Sequence, residues 1–249
     1  MRTATHHATA PRSAPLWRRY DNATMSRPSN FLPGQSDLRY GGSPAQTFLQ
    51  FVGPIDGTVL DIGSGEGAWG PDLRRAGAER LIAIEPDHIA AEVARSRYDR
   101  VVPNTVEDTP SEVISQADII ILADCLEHLP DPWSTLTWLG DSVKAGCELF
   151  ISLPNLRFLG LLGPVLVRGR FEYSDGGGLL DRGHLRWFTR SSLEHALHSS
   201  GWTPLSWSGE SGTGARALAN RLTGHFFAEL LCHQLYMKAA KLPTIPARP

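Results

Sequence analysis

One stretch of this chain constrains its fold more than any other: a short apolar run that ends in an acid and three alternating glycines, Val59-Leu60-Asp61-Ile62-Gly63-Ser64-Gly65-Glu66-Gly67. Such a run predicts a buried β-strand that turns sharply into a helix, because glycine adopts backbone conformations that other residues avoid. The missing side chains also let the backbone approach a ligand closely. Open α/β sheets bind ligands at the carboxyl ends of their strands, so we expect Asp61 to lie at a binding site.

The glycine turn matches two kinds of nucleotide site, and the acids around it favour one of them. The segment 63–68 also fits the G-x-G-x-x-G/A pattern of dinucleotide-binding proteins, which is a weak signal when it stands alone. Asp61 and Glu66 place two negative charges at the turn, which repel a pyrophosphate and attract an ammonium or a sulfonium group. Glu85 ends the next apolar run, where a carboxylate that bonds the ribose hydroxyls of an adenosine is expected. We therefore expect S-adenosylmethionine as the cofactor; a dehydrogenase and a glycine turn without a ligand are the weaker alternatives.

Length and composition limit the remaining possibilities. The 249 residues are 41% hydrophobic, which is enough for one large α/β core. The formal net charge of −2 gives no general field that would recruit nucleic acid or an anionic membrane. The cysteines Cys125, Cys147 and Cys232 show neither disulfide nor zinc spacing, which favours a reducing, cytoplasmic compartment. The apolar stretches are too short or too interrupted to span a membrane as a helix.

The chain divides into three parts by composition. Residues 1–42 are rich in Arg, Ser, Thr, Ala and Pro, and we expect a disordered tail there; an organelle-targeting segment and a true start at Met25 are the alternatives. Residues 43–241 are expected to form the folded domain, in which 156–186 is an insertion that covers the carboxyl edge of the sheet. Residues 242–249 are expected to form a second tail.

Apolar runs alternate with segments of helical pattern along the folded part of the chain. This alternation predicts an α/β fold, with a Rossmann-like, doubly wound sheet that carries helices on both faces. Asp87 and Asp131 are expected to cap two of the helices. The predicted strands are 57–62, 81–85, 100–102, 117–123, 147–153, 202–207 and 234–240, and the predicted helices are 44–51, 66–76, 87–97, 132–143, 190–200 and 214–232.

Five segments of the chain form an ordered set of motifs. They are the glycine turn, Glu85, Asp124-Cys125-Leu126-Glu127-His128-Leu129, Ser152-Leu153-Pro154-Asn155 and Gly183-His184-Leu185-Arg186-Trp187-Phe188-Thr189. Together they resemble the class I S-adenosylmethionine-dependent methyltransferases, within the broad group related to ubiquinone-biosynthesis O-methyltransferases and bacterial glycan-pathway methyltransferases. The resemblance covers residues 43–241 and implies a seven-stranded mixed sheet whose last strand, at 234–240, is antiparallel.

The resemblance implies a set of cofactor-binding residues. They are Asp61 and Gly63 for the methionine end, Gly65 and Gly67 in the rest of the turn, Glu85 for the ribose, Thr105 and Val106 for the adenine, and Asp124 beside the transferring methyl. At the position of Thr105 the family usually shows an Asp.

The acceptor side depends on what the methyl group is transferred to. Transfer from a sulfonium is an in-line displacement in which the cofactor supplies the chemistry and the protein positions the acceptor. A hydroxyl acceptor also gains from a general base or a metal ion. Asp124, Glu127 and His128 share one face if their loop enters a helical turn, and such a group can bind a divalent cation.

A later histidine completes this constellation. The resemblance implies that related methyltransferases with a similar motif bind a metal ion there. In one group of them a further histidine, from a later segment, is also a ligand, and His184 lies in the comparable place of this chain. The candidate metal ligands are therefore Asp124, Glu127, His128 and His184, and the candidate catalytic residues are Glu127, His128 and His184. Two alternatives remain open at this point: either histidine acts as a general base without metal, or the Glu-His pair only braces the loop.

The expected acceptor is the hydroxyl of a glycan or another small molecule. The insertion at 156–186 resembles that of glycan-pathway methyltransferases, in particular at Arg168, Arg170, Tyr173 and Asp175. The apolar part of this insertion is also compatible with a quinone or a lipid-like acceptor, which remains an alternative. Nucleic acid is disfavoured because the basic residues form no stripe with interleaved aromatic residues. A non-catalytic module that binds the cofactor is the alternative of a different class, and the sequence gives no oligomeric state.

Overall fold

The structure is a computed structural model that describes residues 44–174, 178–210, 222 and 227–243. The predicted tail at 1–42 lies outside these residues, as does most of the tail predicted at 242–249. In the described part of the chain, every helix is too short or too polar to pass through a lipid bilayer.

Seven strands form a single sheet. They are β1 Thr58–Ile62, β2 Arg80–Ile84, β3 Arg100–Val102, β4 Ile119–Ala123, β5 Glu148–Pro154, β6 Thr203–Glu210 and β7 Gln234–Ala240. Their order across the sheet is β3-β2-β1-β4-β5-β7-β6. β7 is antiparallel to both of its neighbours, whereas the pairs from β3 to β5 are parallel. The predicted mixed sheet with an antiparallel last strand is therefore confirmed.

Helices connect and flank these strands. They are α1 Pro44–Val52, α2 Gly70–Ala76, α3 His88–Ala94, α4 Ser111–Ile114, α5 Pro132–Ser142, α6 Leu159–Arg168, α7 Arg190–Ser199 and α8 Ala228–Leu231, together with a short 3-10 turn at Leu126–His128. Asp87 accepts hydrogen bonds from two backbone N–H groups at the start of α3, and Asp131 accepts one at the start of α5, so both predicted caps are confirmed.

The parallel strands β1, β2, β4 and β5 are buried on both faces, as expected for the centre of a parallel sheet, whereas the edge strand β6 is partly exposed. Alternate residues of β1 and β4 point to opposite sides of the sheet. Leu60 and Ile120 belong to one apolar cluster, and Val59 and Ile121 belong to the other. The two clusters hold the sheet between its helices and fix its register.

Two predicted helices begin or end elsewhere in the structure. α2 begins at Gly70 rather than at 66, because Gly65 and Gly67 take φ values of +54° and +82°, which a helix does not allow. α3 ends at Ala94 rather than at 97, and the chain then turns so that Tyr98 enters the core. Only α8 represents the predicted helix at 214–232, most of which lies outside the described residues.

The topology also locates the functional edge. Strand order reverses between β1 and β4, which are neighbours in the sheet but not in the chain. Loops at the carboxyl ends of such a pair lead away in opposite directions and leave a crevice between them. The glycine turn follows β1 and the acidic motif follows β4, so both lie at this crevice.

Candidate functional site

The three glycines of the turn after β1 differ in what surrounds them: two are closely packed and one faces open space. Gly63, Gly65 and Gly67 all have positive φ values, at +75°, +54° and +82°. A Cβ atom on Gly63 would lie 2.9 Å from the Sγ of Cys125, and one on Gly67 would lie 2.8 Å from a ring carbon of Tyr98. A Cβ atom on Gly65 would meet nothing within 4 Å. Packing therefore requires glycine at the outer two positions, whereas the middle one faces open space.

Asp61 lies beneath this turn and is 1% exposed. The Tyr98 hydroxyl donates a hydrogen bond to its Oδ2. Burial raises the pKa of Asp61 to about 6; the Tyr98 bond lowers it and the nearby negative charge of Glu85 raises it further. Sequence reasoning missed Tyr98, because no local pattern links a tyrosine after α3 to an acid in β1.

Glu85 is fixed by the backbone at the end of β2. Its Oε2 accepts a hydrogen bond of 2.7 Å from the N–H of Gly65, and its Oε1 accepts one of 2.8 Å from the N–H of Asp87. Both oxygens keep further lone pairs, because a carboxylate can accept about four hydrogen bonds. The carboxylate is therefore held in place with acceptor capacity to spare, next to the glycine turn.

The predicted adenine loop follows β3. The hydroxyl of Thr105 donates to Oδ2 of Asp108 at 3.0 Å, and the carbonyl of Thr105 accepts from the hydroxyl of Thr109 at 2.8 Å. Val106 is buried in the apolar core. The Thr105 side chain thus stabilises its own turn.

Asp124 directly follows β4 and has a positive φ, which is uncommon for a residue other than glycine. It has a φ of +49° and is the one residue other than glycine with a positive φ in the described part of the chain. Its Oδ1 accepts hydrogen bonds from the Ser152 hydroxyl, at 3.3 Å, and from the Gln234 side chain. Strained backbone of this kind is typical of functional sites. Sequence reasoning missed Gln234, which reaches Asp124 from β7.

Glu127, His128 and His184 form a cluster of possible metal ligands. One ligand atom from each lies within 4.8 Å of the others. The Nε2 of His184 is 4.0 Å from Oε1 of Glu127, and the two imidazole rings are 4.8 Å apart at their centres. Asp124, the fourth predicted ligand, is not a member of this cluster. The backbone N–H of Leu185 donates to the carbonyl of Glu127 at 2.8 Å, which holds the His184 segment against the turn after β4.

Both histidines have their Nδ1 against a backbone carbonyl. The Nδ1 of His128 lies 3.0 Å from the carbonyl of Gly183, and the Nδ1 of His184 lies 3.2 Å from the carbonyl of Leu179. A carbonyl only accepts, so each Nδ1 carries a proton, and a neutral ring in this orientation has its lone pair at Nε2. Packing around the ring and the neighbouring His184 lower the pKa of His128. This is the tautomer that a metal-binding or proton-accepting histidine needs.

Glu127 is a buried acid whose carboxylate accepts no hydrogen bond from the described residues. It is 1% exposed, and neither of its carboxylate oxygens has a hydrogen-bond partner, which is true of no other buried side-chain N or O atom in the described residues. Burial, with the negative charge of Asp124, raises its pKa well above the usual range. A buried carboxylate without a partner is costly and requires a proton or a cation.

An aromatic cluster, defined here as Phe171, Tyr173 and Trp187, lies next to the histidines. Its ring centres are 5.5 to 6.2 Å apart. The indole N–H of Trp187 donates at 3.4 Å to the carbonyl of Leu179, which also bonds Nδ1 of His184. Phe171 and Tyr173 are 42% and 49% exposed. The cluster therefore presents apolar ring surface to solvent beside the cluster of possible metal ligands.

Comparison with known proteins now identifies the chain. A family model described as a methyltransferase domain matches residues 36–206, well over half of the sequence. The chain belongs to this methyltransferase family. The family confirms the expected enzyme class, a methyltransferase, and implies S-adenosylmethionine as the cofactor, in agreement with the glycine turn.

Curated relatives of this methyltransferase match part of its length. The ubiquinone biosynthesis O-methyltransferases of Escherichia coli O127:H6 and Citrobacter koseri are 32% and 33% identical to it over 102 residues. That stretch is 39% of this chain and 42% of each relative, so the chain matches less than half of their length.

Solved structures share the fold over most of the chain. A methyltransferase from Archaeoglobus fulgidus has a TM-score of 0.58 at 15% identity, and the alignment covers 79% of this chain and 92% of that one. A putative methyltransferase from Listeria monocytogenes has a TM-score of 0.55 at 15% identity, with 80% and 97% covered. At this identity the likeness shows the fold alone.

An added methyl group should have different effects at the open glycine, Gly65, and at the packed glycine, Gly67. Gly65→Ala should cost about 1 kcal/mol of unfolding free energy for its left-handed backbone and should weaken S-adenosylhomocysteine binding, because the methyl enters the open space. Gly67→Ala should destabilise the protein by about 2 kcal/mol or more, because its Cβ also meets Tyr98. Urea unfolding and calorimetric titration measure the two effects.

The matched control is Gly146→Ala, at the turn before β5. Its φ is +90° and an added Cβ meets nothing within 4 Å, so it carries a similar backbone cost away from the site. Its affinity for S-adenosylhomocysteine should equal that of the wild type. Wild-type affinity in Gly65→Ala would contradict the assignment of the open position to the ligand.

Proposed function

We propose that this methyltransferase transfers its methyl group to a hydroxyl oxygen at the centre formed by Glu127, His128 and His184. One observation carries the proposal: the buried Glu127 carboxylate has no hydrogen-bond partner and lies 4.0 Å from Nε2 of His184. A buried carboxylate without a hydrogen-bond partner destabilises the fold, so its presence indicates a functional role or a bound ion. The name of the curated relatives, which are O-methyltransferases, also supports oxygen as the acceptor atom.

We infer the cofactor-binding roles from the electrostatics of the crevice. The buried charge of Asp61 suits the ammonium group of the methionine end, and the spare lone pairs of Glu85 suit the ribose hydroxyls. Thr105 and Val106 follow β3 at the same edge of the sheet, where the adenine is expected. Asp124, at the end of β4, is assigned to the neighbourhood of the transferring methyl.

We propose a divalent cation at the cluster, held by Glu127, His128 and His184. The donor set fits: one carboxylate without a partner and two imidazoles whose lone pairs lie at Nε2 suit ions such as Zn²⁺, Mn²⁺ or Fe²⁺. A cation bound there would lower the pKa of an acceptor hydroxyl. Asp124 is left out of the proposed ligand set, because Gln234 and Ser152 already bond its Oδ1.

The chain's own residues position the acceptor and keep the centre in order. The two carbonyls that bond Nδ1 of His128 and His184 fix the orientation of both rings. The lowered pKa of His128 keeps its ring neutral near pH 7, so its Nε2 is able to accept a proton. His128 is thus also the candidate general base if the centre works without metal.

The proposed acceptor is a glycan or another small molecule that bears a ring. The exposed rings of Phe171 and Tyr173 offer a flat apolar surface beside the cluster, which suits the apolar face of a sugar or an aromatic ring. A quinone or lipid-like acceptor is the second candidate. It is favoured by Leu166 and Val167 of α6, which are 80% and 83% exposed.

The metal proposal predicts stoichiometric binding that depends on Glu127. EDTA-treated wild-type protein should bind one Mn²⁺ or Zn²⁺ ion in a calorimetric titration, and Glu127→Gln and His184→Ala should lose this binding. Methyl transfer should fall by about 100-fold or more in both variants, while S-adenosylhomocysteine still binds. His195→Ala, on the exposed face of α7, is the matched control and should behave as the wild type.

Two outcomes would count against this centre. Metal binding that is unchanged in Glu127→Gln would overturn the proposed ligands. Activity that survives EDTA but is lost in His128→Ala would replace the metal with a general base.

The aromatic cluster predicts an effect on the acceptor alone. Phe171→Ala and Tyr173→Ala should each raise the KM for the acceptor by about tenfold, because a buried ring contact contributes roughly 1.5 kcal/mol. Their affinity for S-adenosylhomocysteine should not change. Transfer of a radiolabelled methyl group to panels of methyl glycosides and catechols identifies the acceptor and gives these constants. Leu166→Ala, which has an exposed apolar side chain on α6, is the control.

For this prediction the decisive comparison is between the ring variants and that control. An equal KM in all four proteins would remove the aromatic cluster from the acceptor site. A rise in Leu166→Ala alone would favour the lipid-like acceptor.

A further inference from the structure

Tyr98 is a buried tyrosine with a specific hydrogen bond in the cofactor crevice. It is 7% exposed, and its hydroxyl donates to Oδ2 of Asp61. Two glycines leave room for its ring: a Cβ atom on Gly67 or on Gly70 would lie 2.8 or 3.0 Å from the Tyr98 ring. The ring thus lies against the glycine turn and the start of α2, and its hydroxyl donates to the acid.

We propose that Tyr98 is a positioning residue that keeps Asp61 ionised and oriented for the ammonium group of the cofactor. This inference rests on the proposed role of Asp61 in cofactor binding. Tyr98 acts through Asp61 and is assigned no contact with the reacting atoms.

The chemistry of the donor explains why a tyrosine suits this place. A buried carboxylate needs a hydrogen bond to remain ionised. An arginine or lysine would supply one, but its positive charge would cancel the attraction of Asp61 for a cationic ligand. A phenol donates a hydrogen bond and adds no charge, so the negative charge of Asp61 remains available. The Tyr98 phenol itself stays protonated, because burial and the Asp61 charge raise its pKa.

The other charged groups near this pair do not replace Tyr98. The negative charge of Glu85 opposes the ionisation of Asp61. Arg97 donates from Nη1 to the carbonyl of Glu66 at 3.1 Å and acts electrostatically on Tyr98. The Cys125 thiol stays neutral, because burial and the surrounding acids raise its pKa. The hydroxyl of Tyr98 is therefore the side-chain donor that favours the ionised form of Asp61.

The test is the pH dependence of S-adenosylhomocysteine binding. In the wild type, affinity should fall as pH drops below about 6, where Asp61 takes up a proton. Tyr98→Phe keeps the ring and removes the donor, so the pKa of Asp61 rises and the fall in affinity begins at higher pH. With a shift of about one pKa unit, the variant should bind roughly threefold more weakly at pH 6.5 and almost tenfold more weakly at about pH 5, and it should approach wild-type affinity at pH 8.5.

Two variants complete the comparison. Tyr236→Phe removes another buried phenol hydroxyl, one that bonds Thr47 and Glu210, and it should leave the pH profile unchanged. Asp61→Asn should bind weakly at every pH and lose the acidic dependence. If Asp61→Asn binds as tightly as the wild type, the proposed role of Asp61 fails. If Asp61→Asn is weak but Tyr98→Phe follows the wild-type profile, the role of Tyr98 is overturned.

A second substitution tests the same bond if Tyr98→Phe does not fold. A 3,5-difluorotyrosine at position 98 keeps the shape of the ring and is a stronger hydrogen-bond donor. The pH at which affinity falls should then move below the wild-type value. An unchanged or higher value would contradict the inference.

Discussion

The cost of burying negative charge is the constraint on which this site depends. Asp61 and Glu127 are each 1% exposed and Glu85 is 8% exposed, all at the carboxyl edge of one sheet. The three carboxylates differ in the hydrogen bonds that they accept from the protein. Glu85 accepts two from backbone N–H groups, Asp61 accepts one from the Tyr98 phenol, and Glu127 has no hydrogen-bond partner among the described residues. The degree of compensation matches the proposed ligands, which are neutral ribose hydroxyls, a single ammonium group and a divalent cation.

Topology brings these acids together. Strand order reverses between β1 and β4, so the glycine turn and the acidic motif lie at neighbouring strand ends. The antiparallel β7 adds Gln234 beside Asp124. The segment before α7 is tied to Glu127 through backbone hydrogen bonds from Leu185 and Arg186, which places His184 next to a motif far away in the sequence. The site is therefore built from loops, while the sheet fixes their origins.

Local patterns made much of the fold predictable. The short apolar and half-apolar runs predicted all seven strands, and the glycine turn with Glu85 predicted the cofactor. Each of these signals is local, because it is contained in a few consecutive residues. The start of α2 was predicted too early, because the positive φ values of Gly65 and Gly67 keep both residues out of a helix. Tyr98 and Gln234 were missed, because each reaches its acid across the fold and leaves no pattern in the sequence. Spacing placed Asp124, Glu127 and His128 in one candidate group, whereas His184 and the cofactor role of Asp124 were found only through the resemblance.

The most direct test of the account is the effect of S-adenosylhomocysteine on unfolding, with NAD as the comparison ligand. At about 100 times its dissociation constant, a ligand that binds only the folded state adds roughly 2.7 kcal/mol to the free energy of unfolding. We predict this gain with S-adenosylhomocysteine, none with NAD, and none in Asp61→Ala. Stabilisation by NAD alone, or an undiminished gain in Asp61→Ala, would contradict the claim that the buried acid after the first strand selects the cofactor.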